Sequence, residues 1–164
     1  MSIEGLEKLK VWQKAREYAL AVYRTALKCL PVEEKYGLDP QLRRAASSIP
    51  ANIAEGYGRY YYQDMIRFCY IARGSLEETV SHLTLAHDLN YLSPSVYRPL
   101  MAQASELTRL INGYIAYLKQ SKQGEHEPGS TSVHEALTGY DFSLEEEPPD
   151  ITATRHDNSP GLEN

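Results

Sequence analysis

The chain has 164 residues, enough for one domain with a hydrophobic core and too few for two ordinary ones. Its formal net charge of −5 combines two unlike parts, because residues 1–122 carry 16 Lys and Arg against 12 Asp and Glu, whereas residues 123–164 carry one Arg against 10 acidic residues. A body of net charge +4 thus precedes an acidic segment of −9, which excludes a uniformly acidic protein.

The first residues, MSIEGLEKLKVWQKAR, are charged from the fourth position and contain no stretch typical of a signal peptide. No run of about 20 apolar residues, the length that spans a bilayer, follows anywhere in the sequence. We therefore expect a soluble, cytoplasmic protein with no membrane partner. Cys29 and Cys69 lie in apolar, helix-periodic surroundings and form no metal pattern or disulfide framework, so we expect two reduced thiols that behave as small hydrophobes.

The first predicted helix covers about residues 4–29, and Pro31 closes it. Apolar residues recur in it at spacings of three and four, which places them on one face: Leu9, Trp12, Ala15, Ala19, Val22, Ala26 and Leu30. Its solvent side is basic, with Lys8, Lys10, Lys14 and Arg16. Such a side is usually only a solvated face.

The second predicted helix runs from Leu38 to Gly56 and contains a proline, Pro50. Its core-facing residues are mostly small: Leu42, Ala45, Ala46, Ile49 and Ile53. A proline within a helix removes a hydrogen bond at a cost of about 3 kcal/mol. Because Ser47 and Ser48 can bond the carbonyls that it frees, we expect a kinked helix rather than a broken one.

Two further helices complete the pattern. The third covers residues 61–90, stops at Asn90, and has the inward residues Met65, Cys69, Ala72, Leu76, Val80 and Leu83. The fourth begins at an N-cap, Ser93, followed by Pro94. Its inward residues form the clearest heptad of the chain: Leu100, Ala104, Leu107, Ile111, Tyr114 and Leu118.

Long helices joined by short loops bury their apolar faces most simply as an antiparallel up-down four-helix bundle, which predicts an all-α fold for residues 1–122. Beyond Lys122 the periodicity stops, and the composition of residues 123–164 predicts a disordered acidic tail. Within it, VHEALTGYDFSLEEE (133–147) is either a short docking motif or a few stray apolar residues in a linker.

Three segments, VWQKA (11–15), LRRAASSIPANIAEGYGR (42–59) and ARGSLEET (72–79), occur in an order and spacing that resemble the bacterial family of 23S rRNA intervening-sequence proteins. Relatives of that family include the accessory variability proteins of diversity-generating retroelements. The resemblance covers about residues 5–120 and is most specific from Arg43 to Arg59. It implies an up-down bundle that assembles into a ring-shaped homopentamer, with a basic surface suited to nucleic acid and no catalysis.

The candidate nucleic-acid-binding residues are Lys10, Lys14, Arg43, Arg44, Arg59, Tyr60, Tyr61 and Arg67. Arg43 and Arg44 lie about 100° apart on a helix, so we expect one to pair with Glu55, Glu77 or Glu78 and the other to be free for phosphate. Tyrosines beside arginines in GYGRYYYQDMIR (56–67) suit unpaired bases and phosphates, but they suit a subunit interface equally well.

No enzyme motif appears. His82 and His87 are five residues apart rather than the four that put two metal ligands on one helical face, and Ser75 and Ser81 suggest no triad with His82. We therefore expect no catalysis, no metal and no cofactor.

The leading hypothesis is a non-enzymatic homo-oligomer that binds nucleic acid, RNA rather than DNA, as structured RNA or an RNA–protein complex. An alternative is a scaffold or accessory protein that recruits a partner such as a retroelement reverse transcriptase. A third interpretation is a self-assembling bundle whose basic face only holds its own acidic tail.

Overall fold

The fold is given by a computed structural model that describes residues 3–59 and 61–121, apart from the side chains of Ile3 and Glu4. Its helices are α1 (Ile3–Lys8), α2 (Lys10–Arg24), α3 (Ala26–Cys29), α4 (Leu38–Tyr57), α5 (Tyr62–Asp88) and α6 (Pro94–Ser121), with a 3₁₀ helix at Val32–Tyr36. These residues form no strand, which confirms the all-α class. The predicted acidic tail lies outside the described residues.

Four helices pack as a bundle in which each contacts two neighbours. Helix α2 lies between α4 and α6, and α5 lies between the same two helices on the other side. Successive helices run in opposite directions, because α4 meets α5 both at Arg44–Glu78 and at Gly56–Phe68, and α5 meets α6 both at Arg73–Asn112 and at Thr84–Tyr97. Helix α2 contacts α4 through the Tyr23 hydroxyl, which donates to the Arg43 carbonyl. The buried residues recur at spacings of three and four, which gives every helix one core-facing stripe.

The first predicted helix is wrong in its continuity, because the structure divides it into α1, α2 and α3. Leu9 is extended at ψ 107°, and the Gln13 side chain donates to the Glu7 carbonyl (2.6 Å), which satisfies one acceptor at the end of α1. The second break is at Thr25, whose hydroxyl and amide both donate to the Ala21 carbonyl. Such back-bonding by threonine competes with regular helix geometry. The core-facing stripe survives, with Trp12 half-buried at the start of α2.

Helix α4 confirms the predicted second helix, since all five of its predicted inward residues are buried. Pro50 lies inside it without breaking it. The Ser47 and Ser48 hydroxyls both donate to the Arg44 carbonyl (3.1 and 2.7 Å). The carbonyl freed by Pro50 is that of Ala46, four residues earlier, so the predicted re-bonding by these serines is wrong.

The end of α5 and the start of α6 follow the sequence closely. Asn90 has a left-handed φ of 61°, its amide donates to the His87 carbonyl, and the Tyr91 amide donates to the Ala86 carbonyl. These two bonds form a Schellman motif, which confirms Asn90 as the stop. Helix α6 begins at Pro94, directly after Ser93, as predicted.

Candidate nucleic-acid interface

A short corner joins α4 to α5, and Gly56 allows the two helices to meet there. A Cβ atom at position 56 would lie 2.9 Å from the Phe68 Cβ, closer than real Cβ atoms approach. Beyond it, the Arg59 guanidinium lies 5.0 Å from the centroid of the Phe68 ring and donates to Glu55 Oε1 at 2.6 Å. The predicted site residue Arg59 is therefore exposed but held by an aromatic ring and a carboxylate.

Lys10 lies at the same end of the bundle as this corner. The Tyr23 hydroxyl donates to the Arg43 carbonyl (3.3 Å), so these two residues lie at about the same height along the bundle axis. Lys10 precedes Tyr23 by 13 residues on α2, and Tyr57 follows Arg43 by 14 residues on antiparallel α4. At about 1.5 Å per residue, both positions lie about 20 Å from that level in the same direction.

The same reasoning places Arg67 level with Lys119. Arg73 Nη1 donates to Asn112 Oδ1 (3.0 Å) across α5 and α6, and the two basic residues lie six and seven positions further toward the corner. Each of the four packed helices, or the corner that follows it, thus places one exposed basic side chain toward this end, with Lys10 about 13 Å short of Lys119 along the bundle axis by the contacts of Lys14 and Tyr18 with α6. We call this surface the corner end and define it as Lys10, Arg59, Tyr61, Arg67, Tyr117 and Lys119.

The basic side chains of the corner end differ in whether they form ion pairs. Lys10, Arg67 and Lys119 form no ion pair with any residue of the described ranges, whereas Arg59 is paired. Tyr117 is 62% exposed and stacks on Tyr114, with 6.3 Å between ring centroids. Tyr61 is half-buried, and Tyr60 lies outside the described residues.

Lys14 lies one helical turn beyond Lys10 on the same face of α2, but it is paired, whereas Lys10 has no ion pair with a described residue. The Lys14 Nζ contacts Glu17 Oε2 at 2.8 Å, and this hydrogen bond raises the pKa of the lysine. Both residues line a pocket of about 70 Å³ between α2 and α6, together with Tyr18, Gln103, Glu106 and Leu107. The neighbouring carboxylates make this pocket a poor place for a phosphate.

Arg43 and Arg44 lie about 20 Å from the corner end, along α4. Arg44 Nη2 donates to Glu78 Oε1 (2.9 Å), which confirms the expected pairing with α5. Arg43 is not free as expected, because its Nε and Nη2 donate to the two carboxylate oxygens of Asp39 (2.5 and 3.1 Å), which raises its pKa. Its guanidinium also lies 5.3 Å from the centroid of the Tyr23 ring. The structure therefore does not bring these arginines together with Arg59 and Arg67.

Two corner-end residues, Tyr117 and Lys119, are not among those that the sequence predicts. Tyr117 follows the predicted inward residue Tyr114 by three positions, so the helical period alone placed it near the core-facing stripe. The signal that finds both is antiparallel register, because the end of the fourth helix must meet the start of the third.

Other kinds of site find little support in the described ranges. No group of three or more His, Cys, Asp or Glu side chains in residues 3–59 and 61–121 is arranged to hold a metal ion. Helices with the length and apolar character to cross a membrane do not occur among those residues either. Cys69 is buried, which raises the pKa of its thiol to about 12, whereas Cys29 is exposed, contrary to its predicted apolar setting.

The sequence of the described bundle matches a family model. The model is that of the 23S rRNA-intervening sequence protein, and it matches residues 7–113, about two thirds of the chain. The chain belongs to this family. The match covers α2, α4, α5 and most of α6, and it ends before the acidic segment.

A solved structure extends the family assignment to the fold. It is a protein of unknown function from the S23 ribosomal protein family of Bacteroides thetaiotaomicron, solved at 1.70 Å, with 27% sequence identity and a TM-score of 0.58. The alignment covers 64% of this chain and 97% of that one, so the relative consists almost entirely of the shared bundle. No curated protein matches the chain.

Proposed function

We propose that this family member is a non-enzymatic, homo-oligomeric protein that binds structured RNA, or an RNA–protein complex, through its corner end. The observation that carries the proposal is that Lys10, Arg67 and Lys119 all lie toward one end of the bundle, exposed and without ion pairs to described residues, where the Tyr117 ring is also exposed. Free ammonium and guanidinium groups contact phosphates, and exposed tyrosine rings stack on unpaired bases. The family name, which refers to 23S rRNA, supports RNA rather than DNA.

The absence of catalysis belongs to the same proposal. The thiol of Cys69 is buried and has a raised pKa, which makes it a poor nucleophile. The pocket of about 70 Å³ beside Lys14 is far smaller than typical substrate sites of roughly 300–1,000 Å³.

Oligomerisation is supported by the outer face of α4 and α5. From the Arg44–Glu78 contact, antiparallel register places Ala51 beside Ile71, both of them exposed. Gly74 lies on the same face, where a Cβ atom would meet nothing within 4 Å. Small and apolar exposed residues allow close approach of a second copy, and a ring of copies would repeat every corner end by symmetry.

A second candidate function is recruitment of a protein, such as a reverse transcriptase. Val32 and Tyr36, on the 3₁₀ helix at the other end of the bundle, are 77% and 87% exposed. Exposed apolar side chains of this kind favour a protein partner over RNA.

The test is binding of a fluorescent stem–loop RNA, followed by anisotropy from low to physiological salt. Lys10→Ala with Arg67→Ala should weaken binding and reduce the slope of log K against log salt by roughly one unit for each lost phosphate contact. Lys28→Ala with Lys35→Ala, at the opposite end, is the matched control and should leave the affinity and the salt slope unchanged. Equal effects of the two pairs, or binding that does not depend on salt, would refute RNA binding at the corner end.

A further inference from the structure

The chain continues from the bundle at the corner end. Helix α6 ends at Ser121, two residues after Lys119, and residues 123–164 carry a net charge of −9. We propose that residues 133–147, VHEALTGYDFSLEEE, dock on the corner end of the same bundle and occupy the surface that RNA would use.

The chemistry of the two partners is complementary. The segment ends in three consecutive carboxylates, Glu145–Glu147, and the corner end offers Lys10 and Arg67 without ion pairs to described residues. Tyr140, Phe142 and Leu144 alternate with polar residues, so an extended backbone places all three on one side. Tyr117, which is 62% exposed and stacked on Tyr114, is an aromatic surface for them to cover.

Charge alone does not choose between the two ends of the bundle. The opposite end also carries exposed basic residues, among them Arg24, Lys28, Lys35 and Arg98. The length of the chain that leads to the segment does favour one end as the docking site. Helix α6 has 28 residues and therefore separates the two ends by about 42 Å.

The reach of the segment favours the near end. Tyr140 follows Ser121 by 19 residues, and as a random coil a linker of that length would have a root-mean-square span of about 24 Å. The corner end lies within this distance and the opposite end lies well beyond it. Tethering over such a span holds the segment at an effective concentration in the millimolar range, which is sufficient for a weak contact to be populated.

Docking would make the protein its own competitor for RNA. This consequence rests on the proposed function, whereas the docking itself does not. Since salt at physiological strength screens exposed charges beyond about 8 Å, the competition is strongest at low salt. We expect it to change the apparent RNA affinity by no more than about tenfold.

The docking is tested on the full chain without RNA, by carbodiimide coupling, which joins carboxylates directly to lysine amines in contact with them. Lysines at both ends provide an internal comparison: Lys8 and Lys10 near the corner end, and Lys28 and Lys35 at the other. We expect Glu145–Glu147 to link to Lys8 and Lys10 at least about tenfold more often than to Lys28 and Lys35. Equal linking to both ends, or no linking, would overturn the proposal.

A variant separates docking from mere proximity. Tyr140→Ser, Phe142→Ser and Leu144→Ser together keep every charge and every reactive carboxylate. They should reduce the links to Lys8 and Lys10 by at least about fivefold if the apolar side chains anchor the segment. Links that persist unchanged would mean that the segment is only tethered nearby, and the proposal would be wrong.

RNA binding is measured separately from docking. With the stem–loop RNA, the same triple variant should bind more tightly than the native chain, and the gain should shrink as salt rises. If neither protein binds RNA while the links form as expected, the proposed function fails and the docking remains. If both bind RNA equally although the links differ, docking stands and the claim that it occupies the RNA surface is overturned.

Discussion

Gly56 of α4 packs directly against Phe68 of α5, and a Cβ atom at position 56 would lie 2.9 Å from the Phe68 Cβ and 3.2 Å from the Met65 carbonyl oxygen. The backbone oxygen cannot move aside without displacing α5. This contact sets the separation of the two helices next to the corner, and the Arg59 guanidinium lies on the other end of the same phenylalanine side chain. The geometry of the corner end therefore depends on a glycine that touches no ligand.

Gly56→Ala should lower the free energy of unfolding by about 1–3 kcal/mol, as overpacking does in well-filled sites. Gly113→Ala on α6 is the matched control, because a Cβ atom there meets nothing within 4 Å. Removing a helical glycine without a clash should stabilise the protein by about 0.5–1 kcal/mol. Chemical denaturation monitored by circular dichroism measures both changes, and the same sign for both would contradict this account of the corner.

The two cysteines should differ sharply toward a thiol reagent. Cys29 is exposed and should react within minutes at pH 8, while Cys69 is buried, has a pKa raised to about 12, and should react only after unfolding. Labelling with a maleimide and intact-mass measurement count the modified thiols. Two rapid modifications of the folded protein would show that α5 is not packed as described.

The buried thiol also makes stability depend on alkaline pH. Because burial raises the pKa of Cys69 from 9.0 to about 12, the folded state keeps the proton while the unfolded chain releases it. The resulting stabilisation is complete below pH 9 and is lost as pH rises from 9 to 12, by about 1.4 kcal/mol per unit. Cys69→Ala should therefore lose about 1.4 kcal/mol less than the native protein between pH 8 and pH 10. Parallel pH profiles for the two proteins would exclude the thiol as the source.

The Arg44–Glu78 ion pair should contribute little to stability. The two side chains are 70% and 40% exposed, and exposed pairs of this kind are worth about 0.2–1 kcal/mol. A double-mutant cycle of Arg44→Ala and Glu78→Ala in low and high salt measures the coupling. A coupling above about 2 kcal/mol that is insensitive to salt would indicate a pair buried in an assembly instead.

Light scattering should give a particle of five 18.6 kDa chains, and Ala51→Glu should lower that mass by placing a charge on the proposed contact face. Tyr36→Ser, on an exposed side chain of the 3₁₀ helix away from that face, should leave the mass unchanged. A mass of 18.6 kDa for the native chain at micromolar concentration would refute the oligomer.

The apolar pattern of the sequence predicts the core residues well where each helical turn offers a single candidate for the inward position. On α5 the pattern allows either Thr79 or Val80 after Leu76, and the predicted Val80 is half-buried and packs against the core. The structure buries Thr79, whose hydroxyl donates to the Ser75 carbonyl (2.8 Å) inside its own helix. On α6 the predicted Tyr114 is likewise half-buried against the core, and its neighbour Ile115 is more deeply buried.

Prediction of the site was weaker, because it depends on register between helices rather than on period within one. The pairing of Arg44 with Glu78 was among the expected alternatives. Asp39 and Arg43 are four residues apart, a spacing that allows an ion pair on one helix face, and the structure forms this pair instead of leaving Arg43 free as expected. The set of basic residues that stay unpaired at one end depends on how the helices are aligned, so the sequence alone does not point to Lys119.

Trp12 is the one tryptophan of the chain and lies half-buried at the start of α2, two residues from Lys10. The protein therefore has a built-in optical reporter whose emission depends on the solvent around a single, known position. Excitation at long wavelength does not excite the tyrosines. The fluorescence of the Trp12 indole therefore reports binding at one end of the bundle without an attached dye. Contact with the other end, near Tyr36, would leave its spectrum unchanged.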